Sequence, residues 1–295
     1  MAEEINKIIS NSIDTYTKNT NLCIPFILNI VMIALTAIII TIFSLVYLFG
    51  SVSVEEYNSP EALSLAFISS LSHHVYEIAA IVLVGFLVIM YFSSFFTSGA
   101  IGMARQATET GRTTFSTMME SGKKNALNLF LAEILFLLLV FAGIVFMVPG
   151  AMNLDLNQLS IEDNYLLMIG FVLWIVYFLI LSLALSAFSY VLVIESLGPV
   201  EGIVAGVNFF KKNASDVFLI ILATIGVSFV FGIIDAIMSL NSILNTIWFF
   251  VSLLISVCIL SPVLMLWWVR LYMTRTDKQV YFNDLLAHPN DLPKP

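Results

Sequence analysis

The stretch Lys211-Lys212-Asn213-Ala214-Ser215-Asp216-Val217-Phe218-Leu219-Ile220-Ile221-Leu222-Ala223-Thr224-Ile225-Gly226 decides the fold. Two cations and an asparagine give way within a few residues to an apolar run, so the chain turns here from an aqueous surface into hydrocarbon. Working outward from this corner, every basic residue falls on alternate sides of the long apolar stretches. Lys7 and Lys18 precede the first stretch, Arg105, Arg112, Lys123 and Lys124 lie between the second and third, Lys211 and Lys212 between the fourth and fifth, and Arg270, Arg275, Lys278 and Lys294 follow the last. The first, third and fifth gaps hold none. Loops rich in Lys and Arg stay in the cytoplasm while loops lacking them are translocated. The pattern therefore predicts a multi-pass protein of the cell membrane with six spans and both termini cytoplasmic.

Composition leads to the same class. The mean hydropathy is +0.99, 60% of the residues are hydrophobic and only 11% are charged, whereas a soluble domain carries about 25% charged residues. The net charge of −8 is sided, because Glu55, Glu56, Glu61, Asp155, Glu162 and Asp163 sit in the Lys-free loops. Nucleic acid is thus not an expected partner. Cys23 and Cys258 lie at or inside apolar stretches and read as small packing residues rather than a disulfide framework or metal site.

A helix needs about 20 apolar residues to cross the hydrocarbon core, and an open strand cannot satisfy its backbone there. All-α spans are predicted near 22–49, 75–103, 125–148, 165–194, 214–239 and 244–273. The first follows the acidic start Ala2-Glu3-Glu4, is too long for a signal-peptide core and is expected to be retained. Trp267 and Trp268 beside Arg270 read as an anchor at the inner interface, and Trp248 as one at the outer.

An internal repeat is also legible. Lys123-Lys124-Asn125-Ala126 with Phe130-Leu131 recurs as Lys211-Lys212-Asn213-Ala214 with Phe218-Leu219, a shift of 88, and Lys18-Asn19 is a shorter echo. Before each corner runs a short segment of helical apolar spacing: Ile5, Ile8, Ile9, Ile13 and Tyr16; then Phe115, Met118 and Met119; then Val200, Ile203, Val204, Val207 and Phe210. Too short and polar to span, these segments are expected to lie in the cytoplasmic interface as amphipathic helices. Asn suits the corner because it tolerates the left-handed conformation that ends one helix and can cap the next. Pro199 and Glu201 favour the start of the third such helix and Lys211-Lys212 its end. The expected unit is interfacial helix, corner, outward span, inward span. Three parallel units, 1–103, 104–195 and 196–273, make one membrane domain over 1–273, followed by a polar cytoplasmic tail over 274–295.

The segment Glu195-Ser-Leu-Gly198-Pro-Val-Glu201-Gly202-Ile-Val-Ala-Gly206, running into Phe210-Lys211-Lys212-Asn213, resembles the membrane domain attached to some glycerophosphoryl diester phosphodiesterases. It is also similar to six-helix membrane proteins of unknown function from archaea and Gram-positive bacteria. The resemblance implies six helices with cytoplasmic amphipathic segments and, where an enzyme is attached, membrane placement of that enzyme. These 295 residues leave no room for the catalytic barrel, so phosphodiesterase activity does not carry over.

The residues themselves offer little chemistry. No Gly-rich phosphate loop, His-Glu-x-x-His or Gly-x-Ser-x-Gly occurs. Adjacent His73 and His74, next to Glu77, would point about 100° apart on a helix, a poor arrangement for one ion. No metal, cofactor or catalytic residue is expected. The candidates are intramembrane carboxylates, because a charge in hydrocarbon is costly and faces a bundle interior or water. Glu133 lies about 12 Å deeper than Asn125 by helix rise, and Asp235 lies toward the outer end of the fifth span. The position equivalent to Glu133 in the third unit is Ile221, which argues against a symmetric ring of carboxylates around a channel.

Packing explains the other intramembrane polar groups. Ser94, Ser98 and Gly102, then Ser182 and Ser186, then Ser252 and Ser256, recur at spacing four and allow close helix approach. Ser261-Pro262 is expected to kink the sixth span. Two function classes follow. The first is a non-enzymatic scaffold or accessory protein that contacts anionic lipid head groups, or a membrane or soluble protein partner, through its interfacial helices and the corners Lys18-Asn19, Lys123-Lys124-Asn125 and Lys211-Lys212-Asn213. The alternative is a small-solute or ion transporter or channel that uses Glu133 and Asp235.

Overall fold

The computed structural model describes residues 3–49, 72–152 and 165–281, together with Ser59, Glu61, Ser64, Ile68 and Ser69. Among these residues there is no strand. In chain order the helices are α1 (Ile5–Lys18), α2 (Ile24–Phe49), α3 (Val75–Thr110), α4 (Phe115–Ala142), α5 (Tyr165–Ala184), α6 (Phe188–Glu195), α7 (Pro199–Lys212), α8 (Ala214–Met238), α9 (Ser242–Ile255) and α10 (Ser261–Arg275). A 3₁₀ turn, Thr20–Cys23, leads into α2, while Gly143–Met147 and Val148–Met152 prolong α4. Six helical segments are long and apolar enough to cross a membrane: Thr20–Tyr47, Val75–Thr110, Phe115–Met152, Tyr165–Glu195, Ala214–Met238 and Ser242–Arg275. The chain is a multi-pass membrane protein.

The core lies toward the end of the bundle that carries the basic residues. Ile8, Leu22, Ile101, Met103, Met118, Leu129, Leu192, Ile220, Leu266, Leu271 and Met273 are fully buried there. Toward the other end, Ile39, Val46, Phe229, Ile243 and Leu254 stand more than half exposed. That contrast has a physical cause: lipid tails are as apolar as leucine, so close packing and polar contacts, not burial from water, hold helices together. The contacts are concentrated at the basic end. Helix α10 is its axis, with every residue from Val269 to Met273 buried.

The tightest packing joins α3 to α4 through the small residues. Ser94 and Ser98 are fully buried, Ser121 Oγ donates to the Ser98 carbonyl at 2.7 Å, and a Cβ added at Gly102 would meet Ser121 Cβ at 2.3 Å. On α7, Gly202 and Gly206 lie against Leu192 and Phe188 of α6; a Cβ at Gly206 would come within 2.6 Å of the Phe188 backbone.

Several sequence expectations need correction. The elbow at Lys123-Lys124-Asn125 is absent, because α4 runs unbroken through it from a cap at Thr114. Asn125 is buried and donates to the Ser121 carbonyl one turn back at 3.2 Å, so its amide is satisfied within the helix and caps nothing. The other two corners do turn, Asn19 ending α1 and Asn213 ending α7 and beginning α8. Neither residue is left-handed (φ −134 and −127) and neither side chain caps the following helix; each Nδ2 instead donates to the carbonyl four residues back. Trp267 is buried in the core and is therefore no lipid anchor, and the partly buried Trp268 stacks on Tyr190 at 5.5 Å. In α7, Val200 and Val204 are exposed, and the glycines Gly202 and Gly206 make the contact with α6. The fourth span is broken at Leu185–Ala187 into α5 and α6. At Pro262 the kink takes the form of a π turn, Ser256–Leu260, between α9 and α10. The acidic loop residues Glu55, Glu56, Asp155, Glu162 and Asp163, and the tail beyond Tyr281, lie outside the described residues.

Candidate functional site

Two corners and the unbroken first half of α4 place five lysines at the basic end, and all five, Lys18, Lys123, Lys124, Lys211 and Lys212, are exposed. Among the described residues none of them takes part in an ion pair. The neighbouring arginines behave differently. Arg270 pairs with Glu3 through Nε at 2.8 Å and Nη2 at 3.0 Å, with both side chains almost fully buried. Asn11 adds a third hydrogen bond to the Glu3 carboxylate. Arg275 donates to Asp216 at 2.6 Å and to the Glu3 backbone carbonyl at 2.9 Å, which ties α1 and α8 to α10. Glu195, at the end of α6, accepts from the Tyr272 hydroxyl at 2.6 Å and from Lys278 Nζ at 2.9 Å. Arg105 pairs with Glu109 and reaches the Ile194 carbonyl at 2.8 Å.

Asn19 clamps two segments. Its Nδ2 donates to the Thr15 and Gly111 carbonyls, both at 2.9 Å, and its Oδ1 accepts from Thr113 N at 3.0 Å. Asn21 donates to the Thr113 carbonyl at 2.9 Å. The α3–α4 hairpin is thereby held against the end of α1. Gln106 braces the same hairpin from inside, its Oε1 accepting from Thr113 Oγ1 at 3.0 Å and from Thr117 Oγ1 at 2.6 Å. Tyr16 donates to the Cys258 carbonyl in the π turn. That carbonyl stands four residues before Pro262, whose nitrogen has no hydrogen to offer it. Burial, then the Cys23 and Cys258 thiols, raise the Tyr16 pKa, so the hydroxyl stays protonated and able to donate.

The intramembrane carboxylates are not brought together. Glu133 accepts from Ser94 Oγ at 2.6 Å and links α4 to α3. Asp235, exposed at the far end of α8, accepts from the Trp248 indole of α9. Each has a helix-pairing partner of its own. Among the described residues no group of three or more His, Cys, Asp or Glu is placed to hold a metal ion.

Reading along the chain missed Glu3, Asp216, Glu195 and Tyr16 as organising residues. One signal was present: three of them are acidic residues in segments otherwise marked by Lys and Arg, and a carboxylate there needs a cationic partner. Which cation it meets depends on contacts between distant helices.

No curated protein and no solved structure matches the chain. A family model described as a domain of unknown function, DUF7847, matches residues 61–274, a segment that contains Asp216 and Arg270 but neither Glu3 nor Tyr16. The chain therefore belongs to the DUF7847 family.

Proposed function

We propose that the protein is a non-enzymatic membrane scaffold or accessory protein whose basic end faces the cytoplasm and contacts anionic head groups or a partner protein. The observation that carries this reading is the separation of the cations into two sets. Arg105, Arg270, Arg275 and Lys278 are consumed in ion pairs that build the fold, whereas Lys18, Lys123, Lys124, Lys211 and Lys212 stand exposed and without ion pairs among the described residues. Basic residues beside a bilayer attract anionic lipid by roughly 1 kcal/mol each, and this attraction is lost with salt. In this reading α1 and α7 lie at the cytoplasmic interface, and the three units are parallel repeats of which the second has merged its interfacial segment into α4. The membrane is the cell membrane and both termini are cytoplasmic.

The test replaces Lys123, Lys124, Lys211 and Lys212 together by Gln. Retention of anionic lipid through purification in mild detergent should fall, and the remaining difference from wild type should vanish in high salt. Unchanged lipid retention would reduce these lysines to orientation signals. Transport through Glu133 and Asp235 has less support, because each carboxylate is bonded to a neighbouring helix.

A further inference from the structure

A cavity of about 370 Å³ opens at the basic end, lined by Lys18, Thr110, Gly111, Arg112 and Tyr281. Its size falls within the ~300–1,000 Å³ of small-molecule sites. Its walls come from three places in the sequence: the end of α1, the turn between α3 and α4, and the segment after α10. Two cations line it, and no carboxylate does. Both Lys18 and Arg112 are exposed, and neither takes part in an ion pair among the described residues.

The surroundings are built rather than accidental. Gly111 has φ +78, a left-handed conformation suited to glycine, and the Thr110 hydroxyl bonds to the Arg112 carbonyl at 2.9 Å across the turn. Asn19 holds the Gly111 carbonyl from below. Tyr281 is fixed from above, since its backbone N donates to the Thr108 carbonyl at 2.8 Å and its ring lies against Gly111. A much smaller cavity of about 20 Å³ adjoins it, sharing Lys18, Gly111 and Tyr281, and contains Asp14 and Arg270. Arg270 is already matched by Glu3. Lys18 and Arg112 then outnumber Asp14, so the charge left over around the opening is positive.

We propose that this pocket binds a phosphate group, with Lys18 and the Arg112 guanidinium as its cationic clamp, Gly111 as its floor and Tyr281 as its wall. A guanidinium and an ammonium with no carboxylate lining the same cavity match a phosphoryl group in charge, and a guanidinium also matches the geometry of its oxygens. The group can belong to an anionic phospholipid head group or to a free phosphate in the cytoplasm. The proposal rests on the reading that the basic end faces the cytoplasmic leaflet, and it adds a discrete pocket to the diffuse attraction of the corner lysines.

The experiment uses the full chain in phosphatidylcholine nanodiscs, with or without a few per cent phosphatidate, and separately with inorganic phosphate. Bound phosphatidate is measured by mass spectrometry of the washed discs and inorganic phosphate by ³¹P NMR. Wild type is expected to bind one or both, and the Lys18→Gln/Arg112→Gln variant about thirtyfold more weakly, from two near-surface charges. The Lys18→Arg/Arg112→Lys variant should retain binding, and the Gln variant at Lys123, Lys124, Lys211 and Lys212 should keep this tight component. Phosphatidate without inorganic phosphate identifies the lipid as source, and inorganic phosphate alone identifies a soluble one. No binding of either probe by wild type, or equal binding by the Lys18→Gln/Arg112→Gln variant, overturns the pocket. In that event loss of bulk anionic lipid in the four-lysine variant would still uphold the broader reading, and its persistence would remove both. Should the double Gln variant fail to fold, a phosphatidate carrying a photoreactive group near its phosphate replaces it as the probe on wild type. Adducts on peptides containing Lys18, Arg112 or Tyr281 support the pocket, and adducts confined to other segments refute it.

Discussion

Glu3 and Arg270 stand 267 residues apart in the chain and form a bidentate ion pair, 2.8 Å and 3.0 Å, with each side chain only 3% exposed. The first helix is thereby fastened to the last. Taking two charges out of water is costly, and the compensation here is geometric: two guanidinium bonds to the two carboxylate oxygens, the Asn11 amide on the same carboxylate, and Arg275 on the Glu3 carbonyl.

Removing one partner of that pair leaves a buried charge unmatched. Arg270→Met and Glu3→Gln should each lower stability by about 3–5 kcal/mol. The combined Glu3→Gln/Arg270→Met variant should be less destabilised than the sum of the two. Thermal unfolding in detergent, followed by tryptophan fluorescence, reads all three. Strictly additive losses would show that the two residues do not act as a pair.

The Tyr16 hydroxyl serves the Cys258 carbonyl that Pro262 cannot. Tyr16→Phe should cost about 1 kcal/mol. In a Pro262→Ala background the restored backbone N–H can take the carbonyl instead, so the same Tyr16→Phe change should cost clearly less. A double-mutant cycle in thermal stability decides it, and an equal cost in both backgrounds would separate Tyr16 from the proline.

Glu133 meets Ser94 across α3 and α4. Gln keeps its size and much of its hydrogen bonding, so Glu133→Gln should behave like wild type. Glu133→Leu should lose something like 1 kcal/mol, the scale of an interhelical hydrogen bond in a membrane. If proteoliposomes instead show ion-coupled uptake by wild type that Glu133→Gln abolishes, the carboxylate serves transport and the scaffold reading is wrong.

Orientation can be read by labelling. In a background without Cys23 and Cys258, single cysteines at Thr114 and Asn208, both exposed at the basic end, should resist an impermeant maleimide applied to intact cells. A cysteine at Asn241, exposed in the turn between α8 and α9, should react. Reaction at Thr114 from outside would invert or break the six-span topology.

The spans were legible from Lys18 to Arg275 because crossing hydrocarbon is a one-dimensional demand: about 20 apolar residues, with cations kept on one side, whatever the neighbours are. The corners at Asn19 and Asn213 were legible for a similar reason, since a helix end is set within a few residues of itself. The corner at Asn125 has the same local letters, yet Ser121 takes its amide and α4 continues. Only the fold could decide that, because α3 packs along α4 through Ser94, Ser98 and Gly102 on both sides of the break that the letters suggested. The same holds for Trp267, whose burial no count of neighbours in sequence could distinguish from an interfacial site. Partners such as Glu3 with Arg270, Asp216 with Arg275 and Tyr16 with the Cys258 carbonyl were decided by the tertiary structure alone. Hydropathy is a property of segments, whereas a buried polar group is matched by whichever distant helix brings a donor within about 3 Å of it.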